Sequence, residues 1–282
     1  MSVAPQDVVR EAAAGAERSI ELSVVIPAYN EAAIIGDTVA RVAAYLAASG
    51  DHELIVVDDG SRDATASIVQ ACAEEHPHVR LVRNPGNRGK GYAIRNGVLH
   101  ARGEYVLYTD ADLVYPIEGM APFLAALRAG ADLAIGSRSH AGTLFALHPR
   151  HFSYIYQRYL VGRAYIAVVN WLLRLGVSDT QCGFKAFRGA VARDIFARLC
   201  LDDFAFDVEA LYIARQRGYR LVELPVYFLY LGEQSSVELL QDSVRMLRDL
   251  WRIRCNGRAG LYTRDAPLAE RVEPRPRLDP EP

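Results

Sequence analysis

The sequence predicts an α/β domain with a mostly parallel central sheet and helices on both faces. Three observations carry this. Short β-rich apolar runs alternate with stretches of helical periodicity, the pattern of a parallel sheet whose crossovers are helices. Three polar clusters, Asn30-Glu31, Asp58-Asp59 and Asp110-Ala111-Asp112, each follow such a run. Finally, 51% of the 282 residues are hydrophobic and 23% are charged, which suits a folded chain with a large core.

Ile20–Pro27 reads as a buried strand, a β-rich run closed by proline. Asn30-Glu31 then opens a helical pattern to about Ser49, with Ile34, Ile35, Val39, Val42 and Leu46 at helical spacing. Leu54–Val57 is a second strand ending in Asp58-Asp59-Gly60-Ser61, and Ser61 or Asp63 can cap the next helix, Ala64–Glu75. Val79–Arg83 is a third strand, followed by a loop over Asn84–Gly91 and a helix over Tyr92–Ala101. Tyr105–Thr109 is a fourth strand, then come a helix over Pro116–Ala129 and a strand over Asp132–Gly136. Beyond it lie an aromatic and basic stretch, Ser139–Ser178, the segment Asp179–Lys185, a helix near Asp207–Arg217 and a strand over Arg220–Val226. Residues 1–19 read as a flexible extension, 20–262 as one domain and 263–282 as a disordered tail rich in proline and charge.

A formal net charge of −2 gives no global sign of a nucleic-acid binder. The cysteines, Cys72, Cys182, Cys200 and Cys255, form no CxxC pair, so free thiols in a reducing cytosol are expected rather than a zinc site or a disulfide framework. His52, His76 and His78 lack metal-ligand spacing. No secretion signal and no apolar run of about 18 residues is read, so any work at a membrane is expected at its surface.

In parallel sheets, ligands bind beyond the carboxyl ends of the strands, where all three polar clusters fall; this placement argues for a nucleotide site. Asp110-Ala111-Asp112 sets two carboxylates on a turn, suited to a hard divalent cation, Mg²⁺ or Mn²⁺, that stabilises a departing diphosphate. Such acids also occur on solvated turns. Asp58 could accept from a pyrimidine N–H or a ribose hydroxyl, while Asp59 or Ser61 could cap a helix. Gly86-Asn87-Arg88-Gly89-Lys90-Gly91 offers backbone N–H groups and cations to a diphosphate, although it matches no strict P-loop and glycines also simply make turns.

Val24-Val25-Ile26-Pro27-Ala28-Tyr29-Asn30-Glu31, Val57-Asp58-Asp59-Gly60-Ser61, Asn87-Arg88-Gly89-Lys90-Gly91 and Asp110-Ala111-Asp112, in this order and spacing, resemble glycosyltransferase family 2. Gly136-Ser137-Arg138, Asp179-Thr180-Gln181-Cys182-Gly183-Phe184-Lys185 and Phe206-Asp207-Val208-Glu209 are similar to its polyprenyl-phosphate branch, of the dolichyl-phosphate β-glucosyltransferase kind. The resemblance spans Leu22–Tyr262. It implies the GT-A nucleotide-sugar fold, with residues 20–138 as the donor half and 139–262 as the acceptor and membrane-surface half.

It further implies a donor-binding set of Pro27, Ala28, Tyr29, Glu31, Asp58, Gly60, Lys90, Asp110 and Ala111. Within it Pro27, Tyr29, Glu31 and Asp58 would line the nucleobase and ribose pocket, and Lys90 would approach ribose or diphosphate. Asp110 and Asp112 would bind metal and diphosphate, and Arg138 and Lys185 would hold diphosphate or the acceptor phosphate. Asp112, Arg138, Asp179, Lys185 and Asp207 form the implied catalytic set. Mannosyl-phosphate relatives place a glutamine ligand two residues after the second aspartate, where this chain has Val114. That departure favours the glucosyl branch, with UDP-glucose as donor and a dolichyl or undecaprenyl phosphate as acceptor.

Ser139–Ser178 contains no acidic residue, but it holds Arg150, Arg158, Arg163 and Arg174 among Phe152, Tyr154, Tyr156, Tyr159, Tyr165 and Trp171. This mixture suits a lipid headgroup boundary or a second copy of the chain. Val237–Arg254 either does the same or packs as an ordinary amphipathic helix, because Glu238, Asp242 and Asp249 dilute its charge. The expected location is the cytoplasmic face of a membrane. A phosphate acceptor, largely a dianion at neutral pH, needs cations more than a base. A hydroxyl acceptor would need a base, for which Asp179 and Asp207 are the candidates, unless they cap a turn and a helix. The rival readings are a family 2 enzyme with a soluble hydroxyl acceptor, a nucleotidyltransferase, whose phosphate loop should follow the first strand, and a non-catalytic membrane-surface module.

Overall fold

The computed structural model describes residues 20–48, 50–230 and 239–263. The expected extension, the tail after Thr263 and the start of the Val237–Arg254 pattern lie outside the described residues.

The strands are β1 (Leu22–Ala28), β2 (His52–Asp58), β3 (Val79–Arg83), β4 (Tyr105–Tyr108), β5 (Leu133–Ser137), β6 (Leu144–Leu147), β7 (Lys185–Arg188), β8 (Leu221–Pro225) and β9 (Tyr227–Tyr230). The helices are α1 (Ile35–Leu46), α2 (Thr65–Glu75), α3 (Lys90–His100), α4 (Ala121–Arg128), α5 (Phe152–Leu173), α6 (Gly189–Phe196), α7 (Phe206–Gln216) and α8 (Leu239–Arg258). A seven-stranded sheet has the order β3-β2-β1-β4-β7-β5-β8. Neighbours pair in parallel except β7, which runs against both β4 and β5.

Successive strand residues face opposite sides of the sheet. Val25, Ile55 and Val57 enter one core with Ile94 and Val98 of α3, Phe196 of α6 and Leu211 of α7. Val24, Ile26, Leu54 and Val56 enter the other with Ile35, Val39 and Val42 of α1, Val69 of α2 and Phe123 of α4. Burial on both faces explains why these strands read as unbroken apolar runs.

Four local differences from the sequence reading have physical causes. The helix expected from Asn30 starts at Ile35, because Asn30 takes a left-handed conformation and Asn30, Glu31 and Ala32 donate their N–H groups to Ser61, Thr65 and Asp63. The strand read as Arg220–Val226 stops at Pro225; the chain then changes sheets, and β9 pairs in parallel with β6. β7 begins at Lys185, the last residue of the segment read only as chemistry, and continues through three residues given no element. Most of Ser139–Ser178 becomes α5, whose apolar residues surround the helix instead of forming the stripe by which helices are recognised. Ile166, Val169 and Leu173 of α5 are buried, whereas Phe152, Tyr156, Leu160 and Trp171 are exposed. Among the described residues, no helix is long and apolar enough to cross a membrane.

Gly97 of α3 lies so close to the sheet that a Cβ there would come 2.4 Å from Val25 Cγ1 and 2.8 Å from Val57 Cγ2. Gly97→Ala is therefore expected to destabilise the fold by about 1–3 kcal/mol, the usual cost of overpacking. Urea unfolding checks this; unchanged stability would mean that α3 can move off β1 and β2.

Candidate active site

β1 and β2 end in register, with Ala28 beside Asp58, and Asp110 comes two residues after the end of β4 on the other side of β1. The three polar clusters thus share one edge of the sheet. Asp59 organises the glycine-rich loop there. It is buried, and its carboxylate accepts from Asn84 Nδ2 at 2.6 Å, Arg88 N at 3.0 Å and Gly89 N at 2.8 Å. These charge-assisted bonds fold the loop toward the end of β2. Gly60 permits the close approach, since a Cβ on it would lie 2.5 Å from Gly86 Cα.

Ser61 Oγ accepts from Asn30 N, and Asp63 accepts from the Thr65 N–H at the start of α2. Asp58 is fully buried. Its Oδ1 accepts from Ser61 N at 3.0 Å, and its Oδ2 has no hydrogen bond, only Arg83 Nε at 3.5 Å. That buried acceptor suits a ring N–H or a ribose hydroxyl, as the sequence reading expects. Pro27, Tyr29 and Glu31 are all partly exposed on the adjoining segment.

Lys90 is the first residue of α3, and its Nζ lies 2.6 Å from Asp110 Oδ1, with both side chains about a quarter exposed. Burial works against the ammonium charge, but Asp110, Asp207 and Asp112 outweigh it and raise Lys90 above its ordinary value. Gly183 makes room for Asp110, because a Cβ there would come 2.2 Å from Asp110 Oδ2. The turn itself is fixed by Thr38, whose hydroxyl donates to the Ala111 carbonyl at 2.6 Å, and by Val114 N, which donates to Asp112 Oδ1 at 3.1 Å.

Asp112 is exposed, and Val114 is bound through its carbonyl to Leu229 N. No group of three His, Cys, Asp or Glu side chains that could hold a metal ion exists among the described residues. Two carboxylates on one turn fit a hard cation such as Mg²⁺ or Mn²⁺ only if diphosphate oxygens and water complete its shell.

The other expected residues form two pairs. Arg138 grips Asp179 through Nε at 2.7 Å, Nη2 at 2.8 Å and its own backbone N at 3.0 Å. Lys185 is fully buried on β7, and its Nζ donates to the Cys182 carbonyl at 2.8 Å and to Asp207 Oδ1 at 2.5 Å. The same Asp207 oxygen accepts from Tyr108 OH at 2.5 Å. Burial, and then Asp207, push that phenol well above its usual value. Lys185, which the resemblance assigns to a phosphate, lies inside the core, where a strand neighbouring β4 turns its side chain under the site.

Sequence reasoning missed Asp59 as the loop's anchor, Gly183 as Asp110's cradle and Thr38 as a brace. Only Asp59 had a local signal, an acid at a strand end before glycine. A cavity of about 480 Å³ between Leu175–Val177, α7 and β8 is lined by none of the expected residues.

The fold and the strand-end acids define a class. A glycosyl transferase family 2 model matches residues 23–196, more than half of the chain, and the chain belongs to this family of enzymes. Dolichyl-phosphate beta-glucosyltransferases are among its relatives. The protein of Dictyostelium discoideum is 33% identical over 265 residues, covering 86% of this chain and 77% of the relative. That of Saccharomyces cerevisiae is 32% identical, covering 87% and 78%, and the human protein is 32% identical, covering 86% and 77%.

The structure shares the GT-A fold of glucosyl-3-phosphoglycerate synthase from Mycobacterium tuberculosis, solved with Mn²⁺, UDP and glucosyl-3-phosphoglycerate. The TM-score is 0.58 at 21% identity, covering 86% of this chain and 80% of the other. A mannosyltransferase from Pyrobaculum calidifontis, solved with GDP-Man and Mn²⁺, aligns at TM-score 0.51 and 21% identity, covering 86% and 69%.

The Asp179 pair carries a pH signature. Burial alone would raise this carboxyl, but Arg138 outweighs it and holds Asp179 below its ordinary value. The stabilisation is then present above the ordinary carboxylate range and lost as pH falls through the lowered value. Wild type should exceed Asp179→Asn in unfolding free energy near neutral pH, and the gap should shrink below about pH 4. Urea unfolding across pH checks this, and a pH-independent gap would contradict it.

Proposed function

We propose that this chain transfers glucose from UDP-glucose to a polyprenyl phosphate at the cytoplasmic face of a membrane, inverting the anomeric centre. The observation that carries this reading is the identity of 32–33% with dolichyl-phosphate beta-glucosyltransferases over most of the chain. The site geometry agrees with it. The buried Asp58 acceptor would take the uridine, and Lys90 beside Asp110 would offer the diphosphate a cation.

An acceptor phosphate oxygen forms the bond to the anomeric carbon as the bond to the diphosphate oxygen breaks. Lys90 places a cation beside the departing diphosphate, and Asp110 and Asp112 would hold Mg²⁺ or Mn²⁺. Such an ion supplies charge neutralisation for that leaving group.

The acid pairs favour phosphate over a hydroxyl acceptor. Asp179 is engaged by Arg138, and Asp207 by Lys185 and Tyr108, so both candidate bases already hold hydrogen-bond donors. A phosphate dianion needs neither.

The lipid would be met at α5. Phe152, Tyr156, Leu160 and Trp171 are exposed there, as are Leu247 and Trp251 on α8. Basic residues near anionic headgroups contribute about 1 kcal/mol each, and Arg150, Arg158, Arg163 and Arg174 accompany these aromatics without an acid.

Several nucleotide sugars screened against a short polyprenyl phosphate should give turnover best with UDP-glucose. Chelation, or Asp110→Ala with Asp112→Ala, should lower the rate by about 100-fold or more, the scale of one preorganised electrostatic group. Undiminished activity would refute the metal role. Sedimentation with anionic liposomes should pellet the protein, and Trp171→Glu should weaken this. Absence of binding, together with turnover of a soluble alcohol, would replace the lipid acceptor with a hydroxyl one.

A further inference from the structure

Glu209 follows Asp207 by two residues on α7, about 200° round the helix, so it points away from the Lys185 pair. It is fully buried. Its Oε2 accepts from Cys200 N at 3.0 Å and Leu201 N at 2.9 Å, and its Oε1 accepts from Tyr262 OH at 2.6 Å. Burial pushes the carboxyl up to about 7 despite these donors. Burying an acid is costly, and an apolar side chain would serve packing alone at least as well.

What the acid organises is the backbone just beyond its own donors. The Asp202 carbonyl accepts from Tyr92 N at 3.0 Å. It also occupies the space that side chains at Gly89 and Gly91 would need, standing 2.6 Å and 2.9 Å from Cβ atoms built there. Gly89–Tyr92 is the turn that starts α3 and carries Lys90. At the other end of the path, Tyr262 follows α8, is fully buried and accepts from Asn256 Nδ2 at 3.2 Å.

We propose that Glu209 is a positioning residue for the donor: it seats the 200–202 backbone against the Gly89–Tyr92 turn, sets Lys90 beside Asp110, and through Tyr262 ties that placement to the docked C-terminal segment. The inference rests on the reading of Lys90 as a diphosphate ligand. Asp59 fixes the loop from the sheet side and Glu209 from the helix side, so the two acids hold the same turn from opposite directions.

The test uses the full chain, with titration calorimetry of UDP in the presence of Mn²⁺ alongside thermal unfolding. Tyr262→Phe, which removes a single hydroxyl, should weaken UDP by about tenfold, the scale of one charge-assisted hydrogen bond. Glu209→Gln should weaken it further. In turnover assays the donor KM should rise while the acceptor KM stays unchanged. Ile195→Val, a core change on α6 outside this path, should leave UDP affinity within about twofold of wild type while lowering the thermal midpoint.

The proposal is overturned if Tyr262→Phe binds UDP as tightly as wild type, or if Ile195→Val weakens UDP to the same degree. Wild type that binds no UDP would remove the donor reading itself, and the inference with it.

Discussion

A buried carboxylate must collect hydrogen-bond donors, and Asp59 collects them from a loop that would otherwise have no reason to fold back on the sheet. Each donor comes from the segment between β3 and α3, so satisfying the acid fixes where α3 begins. Lys90 is the first residue of that helix, and its distance from Asp110 follows from the same constraint. The site exists where it does because this one acid cannot remain unpaired.

The same economy of charge runs through the rest of the site. Asp110 meets Lys90, Asp207 meets Lys185 and Asp179 meets Arg138, so each acid is opposed by a cation from a distant part of the chain. Removing one partner would leave an uncompensated charge, the costly case for a buried pair. The pairs differ in exposure, and that difference sorts them. Lys185–Asp207 is sealed inside the core, Arg138–Asp179 has a buried acid under a partly exposed cation, and in Lys90–Asp110 both side chains are about a quarter exposed. In the last pair alone do both the acid and the cation keep a face toward solvent.

Much of this was legible in order along the chain. Strands β1 to β5 were readable within a few residues, because burial on both faces makes parallel strands continuous apolar runs. Asp58, Asp110 and Asp112 could be placed together because strand ends in such sheets face one edge, and Lys90 because it sits in a glycine-rich loop before a helix. β7 was not readable, because a strand of four residues, two of them cationic, shows too short a pattern to read. Helix α5 was not, because its apolar residues surround it. The pairing of Lys185 with Asp207 was not legible for a related reason: a cation and an acid in a motif look available in sequence, whereas here each is the other's buried partner.

The sequence by itself determined the fold class, the family and the acids at the strand ends, since these depend on local period and on motifs of adjacent residues. Tertiary structure alone decided which charges face solvent and which are consumed in pairs. It also decided that Gly183 cradles Asp110, and that Tyr262 donates to the buried Glu209. Those facts join residues far apart in the chain. Packing, which no local pattern encodes, is what brings them within hydrogen-bond reach.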